Sequence, residues 1–281
     1  MKPMDDWFSA LVAQTAPAVL ITVLEAHGSV PRKAGARMLV NADAQFDTIG
    51  GGHLELQACE VARAMLAEDS APKTERFALG PRLGQCCGGA VVLAFAIIRP
   101  EQQDVIAAFQ REVESRRLQW PELLLFGAGH VGTALVRALD GLPCRVTWVD
   151  TRDAQFPAYV PANTTIECTD TPEALIAAAP AGTSFLVMTH SHALDQLLSE
   201  QILKQPHAGW FGLIGSQTKR MQFEHRLRER GIASERIAAM VCPIGLPGIS
   251  GKEPAVIAAA VTAQLLQVWE TQSSSESQNQ T

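Results

Sequence analysis

The sequence predicts an α/β protein: a C-terminal Rossmann-like parallel sheet with helices on both faces, preceded by a smaller α+β domain. Three observations carry this reading. From residue 121 onward, short apolar runs alternate with helical stretches, the grammar of a parallel sheet with crossover helices. The run Gly127-Ala128-Gly129-His130-Val131-Gly132 falls at a strand-to-helix junction. Before residue 99 the order differs, with several strands grouped around one helical stripe. At 281 residues, 47% hydrophobic and 19% charged, the chain is long enough and apolar enough for two domains.

The first domain is predicted over residues 1–98. Ala18 to Leu24 reads as a buried strand and Gly35 to Val40 as a second. Ile49-Gly50-Gly51-Gly52 marks a tight turn. Leu54, Ala58, Val61, Ala62, Met65 and Leu66 then recur at helical spacing. Strands follow at 76–79 and 90–98, flanking a loop with two cysteines. Arg99-Pro100 closes the domain, and residues 99–120 are expected to form a charged helical linker. The second domain is predicted over 121–270, with strands at 122–126, 145–149, 164–166, 184–189 and 209–214. Its helices are expected at 130–140, 172–179, 192–204, 216–230 and 254–269. Residues 271–281 are polar and rich in Ser and Gln, the composition of a disordered tail.

The glycine motif has a mechanism. Gly127 permits a tight turn, Gly129 a close approach of backbone to phosphate, and Gly132 close packing of helix on strand. The helix that opens at His130 offers N–H donors and a positive dipole end to an anion. Asp150 ends the next strand, near the roughly 20-residue offset at which an acid binds a ribose diol. It favours NAD, while Arg152 leaves NADP open. The fold can equally hold another phosphate-bearing ligand, or none.

Other constellations flank this motif. Thr189-His190-Ser191-His192 follows a strand at the carboxyl end of the sheet, where such folds bind ligands, so His190 is a candidate ligand contact. Gly215-Ser216, followed by Lys219-Arg220, is either an N-cap or an anion site. In the first domain, Arg32, Arg37, His53 and Glu55 lie on Gly-rich elbows, either poised for an anionic ligand or serving as turn chemistry and surface charge. The sequence holds no Ser nucleophile elbow, P-loop, H-E-x-x-H or C-x-x-C.

Cys86 and Cys87 are adjacent within Gly84-Gln85-Cys86-Cys87-Gly88-Gly89. Neighbouring Cα atoms are about 3.8 Å apart, below the usual disulfide span, so a bridge between them would be strained. The flanking glycines leave room for a bulky group to reach the sulfurs. The pair reads either as metal ligands or sulfur-handling thiols, or as two small buried hydrophobes. The other cysteines show no secreted-scaffold spacing, the N-terminus lacks a signal-peptide core, and no apolar run approaches a membrane span. A cytoplasmic protein with reduced thiols is expected. A net charge of −6 without basic runs argues against nucleic-acid binding.

Taken together, these segments resemble the XdhC/CoxI family of xanthine dehydrogenase accessory proteins. The resemblance runs over roughly residues 7–269. It rests on residues 25–32, 49–55 and 84–89, on the glycine motif 127–132, and on 188–192, 212–216 and 243–246, in the family's order. The segment Leu246 to Lys252 departs from the acidic-rich version expected of close relatives. The resemblance implies a chaperone that binds molybdenum cofactor, protects it, supports its sulfuration and hands it to xanthine dehydrogenase or a related molybdenum hydroxylase. A cysteine desulfurase would be the sulfur source, and a homodimer is compatible with it. Cys86 and Cys87 would contact the metal or its sulfur. Gly127, Gly129, His130, Gly132, Asp150, His190, Gly215 and Ser216 would hold the rest of the cofactor, as molybdopterin or its dinucleotide form. Two rivals stay open: an NAD(P)-dependent oxidoreductase, and a scaffold joining the dehydrogenase to the desulfurase.

Overall fold

The computed structural model describes residues 5–79 and 89–278. The chain divides into two compact units, residues 2–116 and residues 117–281.

The first unit is an antiparallel sheet covered on both faces. Helix α1 (Asp6–Ala13) leads into strands β1 (Ala18–His27), β2 (Arg37–Val40) and β3 (Gln45–Asp47). Helix α2 (Gly52–Glu68), strands β4 (Lys73–Ala78) and β5 (Ala90–Ile98), and helix α3 (Gln103–Leu118) follow. The strand order is β3-β2-β1-β5-β4. Alternation along β1 decides which side chain goes where. Val19, Ile21 and Val23 meet Leu54, Ala58, Ala62 and Met65 of α2 on one face. Ala18 and Leu20 meet Trp7 and Leu11 of α1 and Ile106 and Val113 of α3 on the other. Helix α3, expected as a connector, thus packs as a layer of the first unit.

The second unit is a parallel sheet. Its strands are β6 (Glu122–Phe126), β7 (Arg145–Asp150), β8 (Thr164–Cys168), β9 (Ser184–Val187) and β10 (Phe211–Leu213). Between and after them run α4 (His130–Leu139), α5 (Glu173–Ala178), α6 (His192–Lys204), α7 (Gln217–Glu229), α8 (Ser234–Ala239) and α9 (Pro254–Gln278). The order β10-β9-β6-β7-β8 places β6 at the centre, with the chain reversing direction across the sheet between β6 and β9. That is the switch point of a Rossmann fold, and Val241 adds a parallel bridge to Gly212 beyond β10.

Both faces of this sheet are buried, so its strands read as continuous apolar runs. Leu124, Phe126, Phe185, Val187, Phe211 and Leu213 face a cluster that includes Ile176, Leu198, Ile202, Phe223 and Leu227. Leu123, Leu125, Val146, Trp148 and Leu186 face α4 and α9. Ala258, Val261, Leu265 and Trp269 recur on one side of α9, and Trp269 Nε1 donates to Ser184 Oγ at 3.1 Å. Helix α9 continues to Gln278, through residues whose composition suggests a polar tail.

Candidate functional site

In the first unit, residues 25–32 and 49–55 meet at one end of the sheet, and Gly89, the last residue of the cysteine segment, lies against the first of them. Strands β4 and β5 form a hairpin closed by Ala78 opposite Ala90, and Leu79 N–H donates to Gly89 O at 2.8 Å. The hairpin's connection carries Cys86 and Cys87, which lie outside the described residues. At its base, a β-carbon on Gly89 would stand 2.5 Å from the carbonyl oxygens of both His27 and Ser29. The end of β1 is therefore pressed against the hairpin at the glycine that follows the cysteines. Two residues past Ser29, Pro31 fills the space where a side chain of Gly50 would stand.

A β-bulge shapes this end. Val23 pairs with Leu93 and Glu25 with Val92, leaving Leu24 as the extra residue. The bulge shifts the alternation by one. Ala26 returns to the core side, and Glu25 and His27 come together with His27 Nε2 3.0 Å from Glu25 Oε2. Both are exposed.

The loop before α2 is organised around one carboxylate. Glu55 Oε1 accepts from the N–H groups of Ile49 (3.0 Å), Gly50 (3.2 Å) and Gly51 (2.7 Å) and from the Thr48 hydroxyl. Its other oxygen accepts from Gln45 Nε2 at 3.1 Å. Gly50, Gly51 and Gly52 all have positive φ, of 132°, 79° and 63°. That backbone path brings the N–H groups onto one acceptor and would strain other residues. Burial pushes the Glu55 carboxyl up, but these donors outweigh it and hold it below its usual value.

For Glu55 and Arg37, read from the sequence either as ligand contacts or as turn chemistry and surface charge, the structure shows the partners. Glu55 is not free for a ligand, because the loop consumes it. Arg37 is not poised for an anion: it makes a bidentate pair with Glu112 at 2.7 and 3.0 Å. Its guanidinium also lies 5.1 Å from the Trp7 ring centre and 5.0 Å from that of Phe109. It bolts α1 and α3 to the sheet. Arg32 stands 4.0 Å from Asp47, and His53 is exposed on the first turn of α2.

In the second unit, the four remaining motif segments converge at the carboxyl ends of the strands. Gly127 has φ 119°, and a β-carbon there would strike the Met188 carbonyl. A β-carbon on Gly132 would strike the Gly127 carbonyl, which also accepts from Trp148 Nε1 at 3.0 Å. A β-carbon on Gly212 would come within 2.9 Å of Ile244. These glycines are required by packing. Gly129 differs, because a β-carbon there would meet nothing within 4 Å. As N-cap of α4 it also supplies no side-chain acceptor to the helix's first N–H groups. His130, next in line, is exposed.

Beside this turn is a narrow crevice lined by Phe126, Gly127, Val149, Asp150, Pro172 and His190, with room for about one water. Asp150 forms one wall. Its carboxylate accepts from Ala128 N–H at 2.7 Å and from the backbone and side chain of Arg152 at 2.9 to 3.0 Å. Burial raises its pKa, but these donors outweigh it and hold the carboxyl below the usual range.

His190 is exposed on the opposite wall, on a loop fixed from beneath. Asp195, 1% exposed, accepts from Thr189 N–H (3.0 Å), Thr189 Oγ1 (2.7 Å) and Lys219 Nζ (2.6 Å). Lys219 also donates to Ile214 O at 2.8 Å, so one ion pair ties the loop of His190 to that of Gly215 and Ser216. Ser216 caps α7 by accepting from Lys219 N–H. Arg220 donates to Glu224 and to Cys242 O. Ser216 thus takes the N-cap place, and Lys219 and Arg220 each have partners within the fold. Among the described residues, no group of three or more His, Cys, Asp or Glu is placed to hold a metal ion, and no helix is long and apolar enough to cross a membrane.

Sequence reasoning missed the Asp195–Lys219 pair and the contact of Pro31 with Gly50. Both join segments distant in the chain, and only the fold brings them together.

Comparison with known proteins agrees with this architecture. A family model described as the XdhC Rossmann domain matches residues 123–265, and one described as the XdhC and CoxI family matches residues 11–78. The uncharacterized protein YqeB of Escherichia coli (strain K12) is 30% identical over 264 residues, covering 92% of this chain. The chain spans only 44% of that relative's length. A solved chain described as a xanthine dehydrogenase from Bacillus halodurans shares the fold, with a TM-score of 0.77 at 19% identity, covering 94% of this chain and 95% of its own. With one family model covering the Rossmann unit and the other most of the first, the chain belongs to the XdhC and CoxI family.

Proposed function

We propose that the protein serves the maturation of xanthine dehydrogenase or a related molybdenum hydroxylase, as a carrier of molybdenum cofactor. It binds the cofactor, shields it, supports exchange of an oxo ligand for sulfide, and delivers it to the apo-enzyme. A cysteine desulfurase supplies the sulfur. The work belongs to a reducing, cytoplasmic compartment, in which Cys86 and Cys87 stay as thiols.

One observation carries this reading. Residues 25–32 and 49–55 pack on each other through Pro31 and Gly50, at the base of the hairpin whose loop holds Cys86 and Cys87. Thiolates are soft ligands suited to a thiophilic metal or a persulfide. The surrounding glycines suit a bulky guest: a β-carbon on Gly51 would meet nothing within 4 Å, so backbone is open to close approach there. Gly129 offers the same opening in the Rossmann unit, next to α4 N–H groups that can answer a phosphate. No catalytic turnover need belong to the chain itself.

The test is anaerobic. Purified protein is incubated with free molybdenum cofactor, passed over gel filtration and assayed for molybdenum in the protein peak. Wild type is expected to retain the metal, and the Cys86→Ala/Cys87→Ala double variant to lose it while keeping its circular dichroism spectrum. Retention by the folded double variant would remove the thiols from the site. Absence of molybdenum from folded wild type would overturn the carrier role.

A further inference from the structure

The carboxyl end of β7 holds an acid and a cation locked to each other. Asp150's side chain is 2% exposed and Arg152's is 37%. Asp150 Oδ1 accepts from Arg152 Nε at 2.9 Å and from Arg152 N–H at 3.0 Å. Oδ2 accepts from Arg152 Nη2 at 3.0 Å and from Ala128 N–H at 2.7 Å. An ionised carboxylate has about four lone-pair sites, and these donors fill them.

In a dinucleotide-binding Rossmann fold, an acid at this place accepts from the two hydroxyls of a free ribose. Here that acceptor capacity is spent. Two of the four donors are main chain and fixed by the fold. The other two belong to the guanidinium, and only these can be exchanged. A neutral diol would have to displace a bidentate, charge-assisted pair, which is about twice as strong per bond as a neutral one. The guanidinium also keeps N–H groups that Asp150 does not use, and its partial exposure leaves them accessible.

We propose that Arg152 is the specificity-determining residue at the carboxyl end of β7: by occupying Asp150 it turns away ligands with a free ribose diol, and its exposed guanidinium receives a phosphate monoester in their place. The inference concerns the Rossmann unit alone and stands or falls independently of the cysteine loop. The phosphate monoester can be the 2′-phosphate of a dinucleotide or the terminal phosphate of a smaller cofactor. Both present the same dianion to the same fork.

The experiment titrates NADH and NADPH separately, by ligand fluorescence, into wild type, Arg152→Ala and Arg152→Lys, with near-UV circular dichroism as the check on folding. Arg152→Ala frees two acceptor sites on Asp150 and is expected to tighten NADH binding at least tenfold relative to wild type, while weakening NADPH. Arg152→Lys keeps the charge but cannot fill both carboxylate oxygens side-on, so it falls between the two and covers the case in which the alanine variant is unstable. Wild type that prefers NADPH at least tenfold supports the proposal and assigns the phosphate to a dinucleotide. Wild type that binds neither, with NADH binding gained in the variants, supports it and assigns the phosphate to a smaller cofactor. Wild type that binds NADH as tightly as NADPH, or folded variants that gain no NADH affinity, overturns it.

Discussion

Pro31 occupies the space in which a side chain on Gly50 would stand, so the turn after Ser29 and the loop before α2 fit together through one missing β-carbon. The two segments are far apart in sequence and share no helix or strand ladder. Their contact makes a surface from two short loops, at the base of the hairpin that leads to the cysteines. Glu55 holds one side of that contact and the β1 bulge sets the other.

Gly50→Ala tests this fit. The substitution places a β-carbon on Pro31 and puts alanine at φ 132°, a region that costs about 1–3 kcal/mol even without the overlap. Expected is a fall of several degrees in the unfolding temperature and weakened molybdenum retention, both read on one preparation. Gly51→Ala shares the strain, with φ 79°, but not the overlap, because nothing lies within 4 Å. Its loss is expected to be smaller. Equal losses would mean that the strain matters and the contact with Pro31 does not.

Glu55 gives a prediction in pH. Its folded pKa lies below the unfolded value of 4.5, because backbone and side-chain donors outweigh burial. A depressed carboxyl contributes stability above its unfolded pKa and loses it as pH falls through the folded value. Urea unfolding of wild type should therefore show a decline below about pH 4.5 to which Glu55 contributes. Glu55→Gln places an amide where Oε1 gathers four donors. It is expected to cost about 1–3 kcal/mol at pH 7, because the remaining amide oxygen accepts without a charge and the new NH2 faces the Gln45 Nε2 donor. The gap between wild type and variant should shrink toward pH 3.5. A gap independent of pH would mean that the charge on Glu55 contributes nothing.

How far the sequence could be read depends on the range of the interaction. The Rossmann unit was legible because its signals are local: apolar strand, glycine turn, helix and acid follow in order, and β6 and α6 were placed with their observed bounds, as was β5 in the first unit. Helix α1, strand β3 and helix α8 were not foreseen. They span eight, three and six residues, too short for a period to declare itself, and α1 is held by Trp7 and Leu11 packing on the sheet. The roles of single charges were the least legible. Arg37 and Glu55 were legible as charges on Gly-rich elbows, but their partners, Glu112 for the one and the Thr48 hydroxyl with the 49–51 backbone for the other, are set by the fold. Lys219 and Arg220 looked like an anion site for the same reason, although Asp195, Glu224 and Cys242 O satisfy them. Cys86 and Cys87 stood out by their spacing, and the structure adds what their hairpin rests upon.

The Asp195–Lys219 pair should behave as a buried ion pair does. The side chains are 1% and 12% exposed, so removing one partner strands the other. Lys219→Met is expected to cost about 3–5 kcal/mol in denaturant unfolding. Asp195→Leu should cost a similar amount, because Thr189 N–H and Oγ1 also lose their acceptor. The double variant should lose less than the sum, since no unpaired charge remains. Strict additivity would show that the two side chains do not sense each other.

Gly127 and Gly129 separate packing from binding within one turn. A β-carbon on Gly127 would strike the Met188 carbonyl at φ 119°, so Gly127→Ala is expected to destabilise by 3 kcal/mol or more, about the upper end for a strained position. Gly129 has φ −76° and open space at its β-position, so alanine is tolerated there at about 1 kcal/mol or less, the cost of a poorer N-cap. The same methyl would stand where a phosphate approaches the first turn of α4. Gly129→Ala should therefore keep its unfolding temperature within a few degrees and lose affinity for whichever phosphate-bearing ligand wild type retains, tenfold or more by titration. If Gly129→Ala binds as wild type does, the ligand does not approach the backbone at this turn, and Gly129 is there to start a helix.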